Sequence, residues 1–129
     1  MLRTRLLTLA GVAALTMALV MPAAAEASHS WGDYHWARTS NPFTLKLGDS
    51  VDGKWDTYLR TTSADWTKSG VLDTTIVNGG AKPRNCRATA GRVEVCNASY
   101  GNNGWLGIAS ISISGGTHIT QGTVKVNDT

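Results

Sequence analysis

One segment with helical periodicity constrains the fold of this chain more than any other feature. After Gly48, mostly apolar residues recur every three or four positions. This spacing predicts a single helical face made of Trp55, Tyr58, Leu59, Thr62 and Trp66. Asp49 or Asp52 is a candidate N-cap, and Gly70 stands where a left-handed C-terminal cap would lie. We expect this to be the one helix of the domain, with Trp55 and Trp66 in the core.

Strand patterns flank the predicted helix. Phe43, Leu45 and Leu47 alternate with polar residues before it, and the β-branched stretch 71–77 follows it. Strand, helix and strand in this order predict a parallel crossover. Further strands are predicted over 92–97, 105–113 and 119–127, separated by glycine-rich turns at 101–104 and 115–117.

The last strands complete the predicted architecture. Ala109, Ile111 and Ile113 alternate with serines, which predicts one buried and one exposed face on a strand near a sheet edge. The polar and aromatic segment 28–42 has no clean period, and we expect it to be irregular with a short strand around 35–38. The predicted fold is α/β (α+β), a twisted, mostly parallel sheet of about five strands with an antiparallel edge strand and one packed helix.

The N-terminus has the pattern of a secretory signal peptide. Arg3 and Arg5 precede an apolar run that ends at Pro22 and a group of alanines, and the run is shorter than the roughly 20 residues that span a membrane. An A-x-A cleavage motif fits either 23–25 or 25–27. We expect cleavage after residue 27, a mature chain that begins at Ser28, a secreted product and no membrane association after cleavage. The alternative is an uncleaved membrane anchor.

Removing 27 of the 129 residues leaves 102, enough for one small domain. That part has ten Lys and Arg, because Arg3 and Arg5 are lost from the twelve, and eight Asp and Glu, because Glu26 is lost from the nine. The charges are scattered without a basic run, so we expect no nucleic-acid partner.

The two cysteines, Cys86 and Cys96, lie in the exported part of the chain with nine residues between them. An oxidising compartment favours their pairing, and we predict one disulfide. A zinc site needs more ligands than two cysteines, and a redox pair usually has C-x-x-C spacing.

Motifs of known catalytic sites are not found in the sequence. His29, His35 and His118 include no pair at the spacing of H-E-x-x-H, and we expect all three to be separate, exposed loop residues. There is no G-x-S-x-G motif, and Glu94 is the only glutamate after residue 27, so paired carboxylates for glycoside cleavage are disfavoured.

Several stretches together resemble the N-terminal part of secreted bacterial metzincin-type zinc proteases, of the matrixin and reprolysin kind. The resemblance covers nearly all of 28–129, and its stretches are 34–38, 43–47, 55–66, 71–77, 91–97, 100–109 and 122–128, in the family's order. In that family zinc is held by H-E-x-x-H-x-x-G-x-x-H on a second helix, which follows a segment resembling Asn127-Asp128. The chain ends before that helix, so the resemblance implies an incomplete subdomain, with zinc the cofactor of the full-length family.

The resemblance implies a substrate-binding role for an edge strand. The matching positions are Leu106, Gly107, Ile108 and Ala109, whose backbone would pair with an extended peptide or protein substrate. The alternative is a plain sheet edge. Matrixins also place a structural-metal histidine in the following hairpin, where this chain has Lys125. We therefore expect no catalytic residue and no bound metal in this chain, and one face of the sheet left uncovered.

Two functions are compatible with these observations. The first is the substrate-strand part of a secreted zinc-dependent metalloendopeptidase, inactive alone. The second is a secreted, non-catalytic β-rich module that binds sugar or protein through exposed aromatic residues, for which Trp31, Tyr34 and Trp36 are the candidates.

Overall fold

The computed structural model describes residues 31–129. The predicted signal peptide, the predicted mature start at Ser28 and the histidine at position 29 lie outside these residues. The described elements, in chain order, are β1 (His35–Trp36), β2 (Phe43–Ser50), α1 (Asp56–Thr67), β3 (Leu72–Asn78), β4 (Arg92–Ala98), β5 (Gly107–Ser114) and β6 (His118–Asn127).

All the strands belong to one mostly parallel sheet. Strand β2 pairs in parallel with β3 on one side and with β4 on the other, and β4 pairs in parallel with β6. Strand β5 pairs with β6 in antiparallel orientation. The predicted α/β class, the parallel crossover through one helix and the antiparallel edge strand are confirmed. The sheet has six strands, one more than predicted, when the two-residue β1 is counted.

Strand β6 has neighbours along both of its sides. Strand β5 pairs with it from one end to the other, whereas β4 pairs with 122–127 and β1 with 118–119. A strand has only two edges, so β1 and β4 lie end to end along the same side of β6. The short strand expected around 35–38 therefore exists, reduced to His35–Trp36.

Helix α1 covers only part of the sheet. It packs against β3 and β2 through Leu59 and Ser63, which are both buried. The Ser63 hydroxyl lies 2.7 Å from the Thr74 hydroxyl of β3. Trp66, which we predicted to lie in the core, is 60% exposed. That prediction was wrong because the helix is rolled so that Leu59 and Ser63 face the sheet.

The ends of α1 also differ from the prediction. Trp55 occupies the N-cap position without a side-chain capping bond, while the Asp52 carboxylate accepts a hydrogen bond from the Lys54 amide. At the other end Lys68 is the C-cap in right-handed conformation, and Gly70 does not have a positive φ. Neither the aspartate cap nor the left-handed glycine cap forms.

The segment 79–91 covers the opposite face of the sheet. Strands β3 and β4 lie on opposite sides of β2, so this segment crosses β2 to connect them. The disulfide between Cys86 and Cys96 joins the segment to β4, and both residues are buried. The predicted disulfide is confirmed.

Glu94 fixes the start of the same segment from within the sheet. Its side chain is 0% exposed, and its Oε2 atom accepts hydrogen bonds from the Gly80 amide at 3.1 Å and the Ser50 hydroxyl at 3.4 Å. Oε1 forms an ion pair with Arg92 Nη2 at 2.6 Å, although the two atoms are not aligned as a hydrogen bond. A fully buried and paired carboxylate has a structural role here.

Candidate functional site

The outer edge of β5 is open. Within residues 31–129, β5 pairs with β6 alone, so its second side carries backbone groups with no strand partner. The predicted position at a sheet edge is confirmed. The predicted buried face of this strand is not confirmed, because Ile111 is half-buried while Ala109 and Ile113 are exposed. Strand β5 extends beyond the part of the sheet that α1 covers, and this leaves both of its faces exposed.

Backbone hydrogen bonding shows which residues of β5 face outward. Gly107 lies opposite Val126, and the Asn127 amide donates to the Leu106 carbonyl at 2.8 Å. In an antiparallel pair this bond marks Gly107 and Val126 as a non-hydrogen-bonded pair. The N–H and C=O of Gly107 therefore point away from β6, and the alternation gives Ala109 the same orientation.

The four predicted substrate-binding residues thus divide into two pairs. Gly107 and Ala109 present free backbone groups at the edge. The backbone of Leu106 and Ile108 is directed toward β6, while their side chains are exposed, Leu106 to 82%. Leu106 lies in a bend that precedes β5 rather than in the strand itself.

Asn127 holds the loop that leads into this edge. Its Nδ2 group donates to the Gly101 carbonyl at 2.9 Å and the Trp105 carbonyl at 3.2 Å, and its Oδ1 atom accepts from the Tyr100 amide at 2.9 Å. Gly101 has a φ of 89°, which glycine adopts without strain. One side chain at the end of β6 therefore sets the path of the chain into β5.

An apolar groove of about 410 Å³ lies beside this edge on the helix side of the sheet. Its floor extends from β2 and β3 to four valines of β4 and β6, Val93, Val95, Val124 and Val126. Its wall is formed by α1 and its N-cap, through Trp55, Tyr58, Leu59, Thr62 and Trp66. The four valines are only half-buried. Among the described residues, α1 packs on β2 and β3 and leaves this half of the face open.

A polar cluster closes the groove at the carboxyl ends of β4 and β6. Asp128, whose side chain is 14% exposed, accepts hydrogen bonds from Asn97 Nδ2, Trp55 Nε1 and Lys54 Nζ. These hydrogen bonds hold the pKa of Asp128 below its ordinary value of 3.8, and the bond from Asn97 has the largest effect. The cluster ties the start of α1 to the end of β6.

Two histidines that we predicted to be separate loop residues lie together. His35 is in β1 and His118 is the first residue of β6, and their ring centres are 4.9 Å apart. Both are exposed, as predicted, but the assignment of His118 to a loop was wrong. The turn at 115–117 ends where it was predicted, but the strand after it begins one residue earlier than predicted, at His118.

Residues 31–129 do not contain the ligand set that holds the catalytic zinc of the metzincin family. Such a site needs three protein ligands and a nearby carboxylate. No group of three or more His, Cys, Asp or Glu that could hold a metal ion occurs between residues 31 and 129.

None of the helices between positions 31 and 129 has the length and apolar character needed to cross a membrane.

Comparison with known proteins gave no relatives. A scan against protein-family models matched no family, and searches of curated proteins and of solved structures returned no significant match. The resemblance to metzincin proteases therefore stays a prediction from the sequence.

Sequence reasoning missed two features of the site. Strand pairing brings His35 into contact with His118, which lies 83 positions later in the chain. No local sequence pattern indicates this contact. The role of Asp128 as the acceptor for Asn97 and Trp55 was also missed. The only clue was that Asp128 directly follows the last predicted strand, 119–127.

Proposed function

We propose that this chain is the substrate-strand part of a secreted zinc-dependent metalloendopeptidase domain, inactive alone, whose chemistry is supplied by residues outside this sequence. The open edge of β5 carries the proposal. Free backbone groups at Gly107 and Ala109 offer an extended peptide the hydrogen bonds of one more strand.

The groove supports the same proposal. In the family that the sequence resembles, a second helix bears the zinc ligands and packs on the sheet. A row of half-buried valines next to an open edge is a surface that suits such a helix. No catalytic step is assigned to the residues of this chain. Their role is to bind and orient the peptide.

Two features support export. The N-terminal pattern of arginines, apolar run and small residues is typical of a signal peptide. The disulfide between Cys86 and Cys96 is of a kind that persists in oxidising compartments.

Peptide titration monitored by NMR tests the binding role. An extended peptide with alternating apolar residues, added to the ¹⁵N-labelled chain, is expected to shift the amide resonances of β5, above all Gly107 and Ala109. Gly107→Pro removes the outward N–H without removing a bond to β6, so it should abolish these shifts.

Gly107→Ala is the matched control. A Cβ atom at this position meets only the Lys125 carbonyl, at the ordinary contact distance of 3.5 Å, so the alanine variant should bind like the original chain. Shifts that survive in the proline variant, or that never involve β5, would contradict the proposal. Reading the gene beyond codon 129 for an in-frame H-E-x-x-H tests the protease assignment separately.

A second function is favoured by one specific observation. Trp31 is 67% exposed and packs edge-to-face on Tyr34, with ring centres 5.6 Å apart. An exposed aromatic pair suits a secreted module that binds sugar or protein. Trp36, the third predicted aromatic, is half-buried in β1 and fits this role less well. Ligand-induced shifts at Trp31 and Tyr34 instead of β5 would favour this function.

A further inference from the structure

We propose that His35 and His118 form a two-ligand binding site for a borderline divalent metal ion such as zinc, nickel or copper(II). Imidazole nitrogen is a preferred ligand of these ions. The inference goes beyond the proposed function, since it concerns neither the β5 edge nor peptide cleavage.

Strand pairing places the two side chains together. His35 of β1 and His118 of β6 are direct partners in a parallel pair. Paired residues of neighbouring strands project to the same face of the sheet. Regular backbone pairing thus places the two side chains at neighbouring positions on one face.

The distance between the rings suits a shared metal ion. The ring centres are 4.9 Å apart and the ring planes are at 88°. Two imidazoles whose nitrogens each lie about 2 Å from one tetrahedral metal have ring centres roughly 5 Å apart. The rings are therefore already close to the separation that ligation requires.

A hydrogen bond sets the tautomer of His35. Its Nδ1 atom lies 2.7 Å from the Asp33 carbonyl oxygen. A carbonyl can only accept, so Nδ1 carries the proton and the Nε2 atom of the neutral ring is left with a free lone pair. A backbone carbonyl that holds the second ring nitrogen is the usual support of a metal-binding histidine.

The surroundings favour a structural rather than a catalytic ion. The open cavity beside the rings is lined by His35, Ala37, Arg38, Thr39 and His118, and no carboxylate lines it. With two protein ligands, water would complete the coordination. Strand β1 pairs with β6 through only two residues, so a bound ion would fasten the N-terminal segment to the sheet. This inference revises our expectation that the chain binds no metal, which rested on three separate loop histidines.

Metal titration of histidine variants tests the site. The full chain is prepared with His29→Gln, so that the third histidine cannot contribute, and is freed of metal by a chelating resin. Calorimetric titration with ZnCl₂ and separately with NiCl₂ is expected to give one ion per chain. Loss of a mere outer-sphere partner costs about 10-fold to 100-fold in affinity, so adding His35→Gln or His118→Gln should weaken binding by at least about tenfold.

Two further measurements separate ligation from other effects. Arg38→Gln removes a cation from the same cavity and should leave metal affinity equal or higher, whereas an anion site would be weakened. The unfolding midpoint should rise with zinc in the His29→Gln chain but not in the His35 or His118 variants, because an ion that binds only the folded state stabilises it. Absence of binding in the His29→Gln chain, or an affinity in either the His35 or the His118 variant equal to that of the His29→Gln chain, would overturn the proposal.

Discussion

The carboxylate of Glu94 lies against Gly48 of the neighbouring strand, in the space that a Cβ atom at Gly48 would occupy. The two residues are direct partners in the pairing of β2 with β4, so their side-chain positions share one face of the sheet. The absence of a side chain at Gly48 makes room for the buried carboxylate, which in turn accepts a hydrogen bond from the Gly80 amide.

We expect Gly48→Ala to destabilise the chain by roughly 1–3 kcal/mol, because the added methyl group displaces a fully buried carboxylate from its partners. Urea unfolding followed by circular dichroism measures the change. Gly53→Ala is the control, since no atom lies within 4 Å of a Cβ built there. Equal stability of the two variants would show that the carboxylate can move aside freely.

Removal of the disulfide should also destabilise the fold. With Cys86→Ala and Cys96→Ala together, the unfolded chain regains the freedom of a short loop, and the loss is roughly 3 kcal/mol. The same unfolding experiment measures it. Mass spectrometry of the oxidised protein should find no free thiol, and two free thiols would contradict the predicted pairing.

Asp128 should make stability depend on pH in the acid range. Because its pKa is lowered in the folded chain, its contribution is fully present above the ordinary value of 3.8 and is lost as the pH falls through the lowered value. Asp128→Asn should therefore lower the unfolding midpoint most at neutral pH, and the difference should shrink below about pH 4. Midpoints of both proteins, measured from pH 7 to pH 2, check this. A difference that is constant with pH would exclude the charge as its cause.

The chain by itself should not cleave peptides. The residues from 31 to 129 hold no three-ligand metal group, and the cavity beside His35 and His118 has no carboxylate to take a proton from water. A casein-release assay with added zinc is expected to give the rate of the buffer alone. Proteolysis that a chelator abolishes would overturn this account.

Tryptophan quenching should reflect the observed exposure. Trp31 and Trp66 are exposed, whereas Trp55 donates its indole N–H to Asp128 and is half-buried. Trp31→Phe should therefore remove more acrylamide-quenchable fluorescence than Trp55→Phe. The opposite order would indicate that the N-terminal aromatic pair packs against the rest of the protein.

Much of the fold could be predicted because its strands and helix have local patterns. The alternation at Phe43, Leu45 and Leu47 predicted β2, and helical spacing predicted α1 to within a residue or two. The turn glycines were equally clear, and Gly101, Gly104, Gly115 and Gly116 all have positive φ. The exposure of Trp66 could not be predicted, because periodicity defines a helical face but not which part of it meets the sheet.

The candidate site was only partly predictable. Position 107 was assigned to an edge strand by the pattern of 105–113 and to substrate binding by resemblance, whereas the outward direction of its N–H follows from the register with Val126. A shift of the β5–β6 pairing register by one residue would have turned the N–H of Gly107 toward β6. The burial of Glu94 likewise depends on Gly48, which lies 46 residues earlier in the chain.

The sequence by itself determined the kinds of elements, their order and the cysteine pair, since side-chain periodicity, turn residues and spacing act between residues close in the chain. Only the tertiary structure decided that His35 meets His118, that Asp128 accepts a hydrogen bond from the Trp55 indole, and that the open part of the sheet face lies over β4 and β6. Each of these depends on strand register and helix roll. Strand register and helix roll are set by packing between segments that are distant in the chain. Many registers are compatible with the same local pattern, and burial selects one of them.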